Sequence, residues 1–180
     1  GKKIESDYYT EGYAATWQRY VLWEDEKGPV CEQFTKDAFM RCDMSDIIMQ
    51  YDHAGKVFAR TSNKTLIVEP DDTGLFTCAD LSKSEAAKEL YGEISSGLVT
   101  KMSWGFLPGE FYFDEKTRTI IHTSVKKIFD VSAVSIPAND TTDIHARSFV
   151  GGVIDKRLQE LHRRNEMKTK IEIKLKLEDI

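Results

Sequence analysis

The chain is poor in the residues that would place it quickly. Its 180 residues hold three cysteines, Cys31, Cys42 and Cys78, widely spaced and odd in number, with no CxxC among them. That excludes a disulfide framework and a cysteine-based structural zinc site, and makes a reducing, intracellular setting the default. No apolar run approaches the eighteen or so residues needed to span a bilayer, and no basic-then-apolar leader opens the chain. Basic charge is scarce as well. Lys+Arg is 25 against 30 Asp+Glu, a net charge of −5, which argues against a protein that coats nucleic acid by neutralising phosphates. Neither GxxxxGK nor GxGxxG occurs, and the four histidines, His53, His122, His145 and His162, form no HxH or HExxH. Nucleotide and metal chemistry therefore lack a motif, and no cofactor is expected.

What is present is an ordinary globular composition, 41% hydrophobic and 11% aromatic, unevenly charged. Residues 1–150 carry 17 basic and 24 acidic side chains (−7), and residues 151–180 carry 8 and 6 (+2). Gly151-Gly152 suits a hinge between a domain over 1–150 and a tail over 151–180. The tail reads as an amphipathic helix, with Val153, Leu158 and Leu161 on one face, followed by the alternating stretch Lys170–Leu177. Its abrupt end at Ile180, and the lack of a Met before Gly1, read as truncation and processing.

Within the domain the pattern is mostly that of strands. Gly12–Trp23 reads as a strand or bent hairpin, Ile47-Ile48-Met49 as a buried strand, and Lys56–Thr61, Thr65–Glu69 and Gly74–Asp80 as an antiparallel meander. A short helix is expected over Thr35–Asp43 with Thr35 as N-cap. The clearest helix follows Ser82-Lys83-Ser84-Glu85, which has the form of a capping box with Ser82 as the cap. It carries Ala86, Ala87, Leu90, Tyr91 and Ile94 at helical spacing and is ended by Gly97. Lys101–Phe106, Glu110–Phe113, Thr119–Val125 and Phe129–Ile136 again read as strands. Roughly nine strands and two helices predict an α+β fold, mainly an antiparallel β-barrel surrounded by helices.

Few residues could carry chemistry. Ser103 lies in Lys101-Met102-Ser103-Trp104-Gly105-Phe106, a hydroxyl among bulky neighbours beside a glycine. His53 follows a buried strand in Tyr51-Asp52-His53-Ala54-Gly55. Taken alone, each is more often a buried structural residue than a catalytic one.

In combination they resemble a family. The run Tyr51-Asp52-His53-Ala54-Gly55-Lys56-Val57-Phe58-Ala59-Arg60-Thr61, followed by Thr65-Leu66, resembles the histidine motif of tailed-phage prohead maturation proteases of the Hong Kong 97 type. Thr73-Gly74-Leu75 resembles their middle region, and Gly97 with Lys101–Phe106 their serine motif, 103 − 53 = 50 residues after the histidine. Asp130-Val131-Ser132-Ala133-Val134-Ser135-Ile136-Pro137-Ala138-Asn139 resembles their third block.

The resemblance implies a serine endopeptidase, similar in fold to herpesvirus assemblin, that acts in capsid maturation. Ser103 would be the nucleophile and His53 the general base. For the group that orients the histidine, Asp130 is the choice, since it opens an apolar strand where a lone carboxylate would be costly. His122 is the rival, because herpesvirus proteases use a second histidine, and Glu110 is a third candidate. The stretch at Pro137-Ala138-Asn139, where herpesvirus proteases carry an arginine, has none, so the oxyanion donors stay unassigned. The implied partners are the major capsid protein or scaffold as substrate, with self-cleavage and self-association, inside the procapsid in the host cytoplasm, with neither nucleic acid nor membrane bound. The competing class is a non-catalytic β-barrel scaffold or tube-like assembly protein.

Overall fold

The computed structural model describes residues 3–135. The tail over 151–180 and the stretch Pro137–Asn139 lie outside the described residues. Eleven strands occur among those described: β1 Tyr9–Thr16, β2 Tyr20–Asp25, β3 Gly28–Phe34, β4 Ile48–Tyr51, β5 Ala54–Arg60, β6 Leu66–Pro70, β7 Gly74–Asp80, β8 Lys101–Pro108, β9 Phe111–Asp114, β10 Thr119–His122 and β11 Val125–Val134. One α-helix, α1, spans Glu85–Ser95, and two short 3-10 turns span Lys36–Phe39 and Thr61–Asn63.

The strands form three sheets, in the orders β1-β7-β6, β2-β3-β10-β9 and β5-β4-β11-β8. Two pairings are parallel, β3 with β10 and β4 with β11. The expected antiparallel barrel is corrected accordingly: among the described residues the strands form three separate sheets, and none closes on itself. The expected surround of helices is likewise reduced to α1. Pro70 and Pro108 help set these limits, since each ends its strand with a residue that has no N–H for a further ladder bond.

Other local expectations shift with the sheets. Gly12–Trp23 is not a hairpin, because β1 pairs with β7 while β2 pairs with β3. Nor do β5, β6 and β7 form one meander: β6 and β7 are a hairpin, but β5 pairs with β4. The helix expected over Thr35–Asp43 is only the four-residue turn Lys36–Phe39, and Thr35 makes no side-chain capping bond.

Helix α1 is capped by Ser84, whose hydroxyl accepts the Ala87 N–H at 3.2 Å. Ser82 is held outside the helix, its N–H donating to Asp80 Oδ1 at 3.0 Å. The far end closes as the glycine predicts. Gly97 adopts φ +78°, its N–H donates to Ile94 O at 3.1 Å, and Leu98 N–H donates to Glu93 O at 3.0 Å. That pair of bonds is a Schellman motif, which satisfies two carbonyls the helix leaves open.

The core gathers side chains from all three sheets, with Trp104, Phe34, Phe106, Ile47, Met49, Leu75 and Val131 fully buried. Phe34 meets Trp104 edge-on at 5.0 Å between ring centres, and Trp104 stacks on Phe106 at 4.2 Å. The first of these contacts joins β8 to β3 across the core. Because strand side chains alternate between faces, Val131 and Ala133 of β11 point into this core. Asp130 and Ser132 are thereby turned to the opposite face.

Candidate active site

Strand β11 is the centre of the site, flanked by β4 on one side and β8 on the other. On β8, Ser103 lies directly opposite Ser132, and Gly105 opposite Asp130. On β4, Gln50 is aligned with Ser132 and Ile48 with Asp130. Residues opposite one another in adjacent strands share a face, so Asp130, Ser132, Ser103 and Gln50 all belong to the face turned away from the aromatic core. That face is closed to solvent as well: Ser103 and Ser132 are fully buried, and Asp130 is 1% exposed.

His53 reaches this face from the turn joining β4 to β5. Tyr51 pairs with Ala54, leaving Asp52-His53 as a two-residue hairpin loop, with φ +47° and +58°. Positive φ at both central residues is the signature of the primed turns that match strand twist. For two residues with Cβ atoms this backbone costs on the order of 1–3 kcal/mol each, and the surroundings hold it in place. Asp52 N–H donates to Ala133 O at 2.9 Å, while the Asp52 carboxylate accepts Ser135 N–H at 2.9 Å and the Ser135 hydroxyl at 2.8 Å. Gln50 Nε2 donates to Gly55 O at 3.2 Å from the other side. The turn is thus tied to the end of β11, the strand that carries Asp130.

The result is a short bond between residues 77 apart in sequence: His53 Nδ1 lies 2.7 Å from Asp130 Oδ1. The same oxygen accepts the Ser132 hydroxyl at 2.6 Å. Among the described residues, Asp130 Oδ2 and Ser103 Oγ are buried and make no hydrogen bond. With Nδ1 facing the carboxylate, the imidazole donates its proton there. Nε2 is left as the basic nitrogen. A hydroxyl and a buried carboxylate on one sheet face, with an imidazole bonded to that carboxylate, are the components of nucleophilic acyl transfer, although Ser103 Oγ is not hydrogen-bonded to the imidazole here.

The other sequence candidates are placed elsewhere. His122 stands on β10 in the sheet β2-β3-β10-β9, its Nε2 2.8 Å from Glu32 Oε1 and its ring stacked on Phe34 at 4.5 Å. Its Nδ1 is buried without a hydrogen bond among the described residues, so neither nitrogen is joined to His53. Tyr20 donates to the other Glu32 oxygen, and burial, together with the Glu32 charge, pushes the Tyr20 hydroxyl well above its ordinary pKa. Glu110 is exposed, in the loop after β8, where its N–H donates to Ser124 Oγ at 2.7 Å. Among the described residues, no group of three or more His, Cys, Asp or Glu side chains is arranged to hold a metal.

Sequence reasoning missed Ser132, Asp52 and Gln50. Only Ser132 left a usable signal, since Asp-x-Ser in a strand puts both side chains on one face.

Compared with protein-family models, the chain matches the one described as Caudovirus prohead serine protease over residues 2–155. No curated protein and no solved structure matches it. The expected likeness to herpesvirus assemblin therefore has no solved structure to support it.

Proposed function

This chain belongs to the Caudovirus prohead serine protease family, and we propose that it is a serine endopeptidase working through Ser103, His53 and Asp130. The observation that carries the proposal is the 2.7 Å bond from His53 Nδ1 to Asp130 Oδ1, on the sheet face where Ser103 stands opposite Ser132. His53 Nε2 takes the proton of Ser103 Oγ as that oxygen attacks the scissile carbonyl carbon. The tetrahedral intermediate collapses as His53 returns the proton to the departing amine, leaving an acyl-enzyme. Water, deprotonated by the same nitrogen, then releases the new carboxylate and restores Ser103. Asp130 keeps the imidazole in the tautomer that presents Nε2 and stabilises the imidazolium while it exists.

Two serines share the face, and their hydrogen bonding separates them. Ser132 gives its proton to Asp130, an acceptor it keeps throughout the cycle. Ser103 Oγ has no such commitment among the described residues and is the nucleophile.

The substrates are the scaffold, or the scaffolding segment of the major capsid protein, and the enzyme itself, within the procapsid in the host cell. An acidic domain (−7 over residues 1–150) is recruited there by protein contacts, not by attraction to nucleic acid. Among the described residues, no helix is long and apolar enough to cross a membrane. The test is to incubate the wild-type protein and Ser103→Ala with purified procapsid protein and record intact masses. Discrete fragments with the wild type alone support the proposal; identical fragments with Ser103→Ala overturn it.

A further inference from the structure

We propose that Ser132 is a positioning residue for the catalytic pair, fixing the Asp130 carboxylate in the rotation and charge state that His53 requires. The inference rests on the catalytic reading of Ser103, His53 and Asp130. Ser132 Oγ lies 2.6 Å from Asp130 Oδ1, the oxygen that also faces His53 Nδ1. Both Ser132 and Asp130 are buried, so water does not take the place of the serine hydroxyl. Asp130 Oδ2 makes no hydrogen bond among the described residues. Of the carboxylate's two oxygens, then, the one holding the histidine is also the one held by the serine.

This arrangement does two things. A carboxylate attached through one rotatable bond could turn, presenting either oxygen or neither to the imidazole. Two donors converging on Oδ1, one from the β4–β5 turn and one from β11 itself, select a single rotation. The second effect is electrostatic. An ionised carboxylate in a closed site is stabilised by each hydrogen bond it accepts, and the strand geometry supplies the Ser132 hydroxyl at a fixed place. Without it, the His53–Asp130 pair would hold a proton more tightly, because the anionic form of the pair loses a donor while the protonated form loses less.

The register makes the role economical in space. Residues 130 and 132 share a face by strand alternation, and the Ser132 hydroxyl reaches along that face to the Asp130 carboxylate. Ser132 does not touch the scissile bond in this role, and its removal leaves substrate binding alone.

The experiment compares wild type, Ser132→Ala, Ser132→Thr and Ser132→Cys by the rate of Ser103 labelling with a fluorophosphonate across pH, and by kcat and KM on a cleavable peptide. Ser132→Ala is expected to lower kcat about ten- to a hundredfold, the size of a hydrogen bond to a charged group. KM should stay unchanged, and the acid limb of the pH profile should move to higher pH. Ser132→Thr, which keeps the hydroxyl, is expected to recover the wild-type acid limb. Ser132→Cys keeps the volume with a weaker donor and is expected to fall between them, so the result does not hang on whether the threonine folds. A Ser132→Ala protein with wild-type kcat and an unmoved acid limb overturns the inference, as does a variant set that loses thermal stability with no change in the pH profile. A wild-type protein that neither labels nor cleaves would instead refute the catalytic reading itself, which keeps the two failures apart.

Discussion

Replacing Asp130 by Asn tests the electrostatic part of the site while changing its shape very little. In the wild type the carboxylate faces His53 Nδ1 at 2.7 Å, with Asp130 only 1% exposed. When His53 accepts the Ser103 proton, a unit positive charge forms beside this negative one. Charges about 4 Å apart attract by about 4 kcal/mol at an effective dielectric near 20. Since each 1.36 kcal/mol is tenfold in rate, losing the charge should slow the reaction about a thousandfold. The amide adds a second defect, because its nitrogen can donate to His53 Nδ1 and so force the proton onto Nε2, where the serine proton must go. The combined loss for a triad of this kind is about 10⁴ in kcat. The assay is kcat/KM on a peptide spanning a capsid cleavage site, with circular dichroism to show that β11 is intact. His122→Ala is the matched control. It leaves Glu32 buried with one partner fewer, which should cost about 1–3 kcal/mol of stability, with kcat/KM near wild type. A fall of less than about tenfold for Asp130→Asn, well under the electrostatic figure, or a larger loss for His122→Ala, would refute the reasoning and move the orienting role off Asp130.

Three further outcomes follow from particular contacts. His53→Ala should be as damaging as removal of Ser103, since the two act as a unit; steady-state rates of the two variants side by side check it. Asp52→Ala removes the two bonds to Ser135 that anchor the His53 turn and places alanine at positive φ, so kcat should fall at least about tenfold, as displaced catalytic groups do, with Asp52→Asn milder because asparagine tolerates that backbone. Asp80 tests stability apart from catalysis. Burial alone would raise its carboxyl, but bonds from Ser6, Ser82 and Lys83 outweigh it and hold the pKa well below the carboxylate range. A depressed folded-state pKa gives stability that is full above the unfolded value of about 3.9 and is lost as the pH falls through the folded value. Urea denaturation should therefore show Asp80→Asn weaker than wild type by about 1.5–3 kcal/mol at pH 7, with the gap closing in strong acid.

The sequence is most legible where local physics decides the structure. Gly74–Asp80 is β7 with the same bounds, and Gly97 ends α1 through a backbone that glycine adopts freely. Strand β3, Gly28–Phe34, is not legible in the sequence because its buried face includes Glu32. A charged residue inside a strand looks like a loop until Tyr20 and His122 are seen to pair with it. The sheet arrangement is hidden for a related reason: alternation identifies strands but says nothing about which edges meet. The parallel pairing of β4 with β11 joins segments about eighty residues apart, and no local pattern encodes it. That pairing is what brings His53 to Asp130. Both residues could be singled out from the chain, whereas the positive-φ turn that aims the imidazole, and the Ser132 hydroxyl on the same carboxylate, exist only once the register is set.

The central claim is that Ser103 is the activated nucleophile of the site. Its most direct measurement is reaction of the protein with a fluorophosphonate, followed by peptide mapping of the adduct by mass spectrometry. A single adduct on Ser103 is predicted, absent in Ser103→Ala and strongly slowed in His53→Ala. An adduct on Ser132 or any other serine, or no adduct under conditions where the protein cleaves procapsid protein, would contradict it.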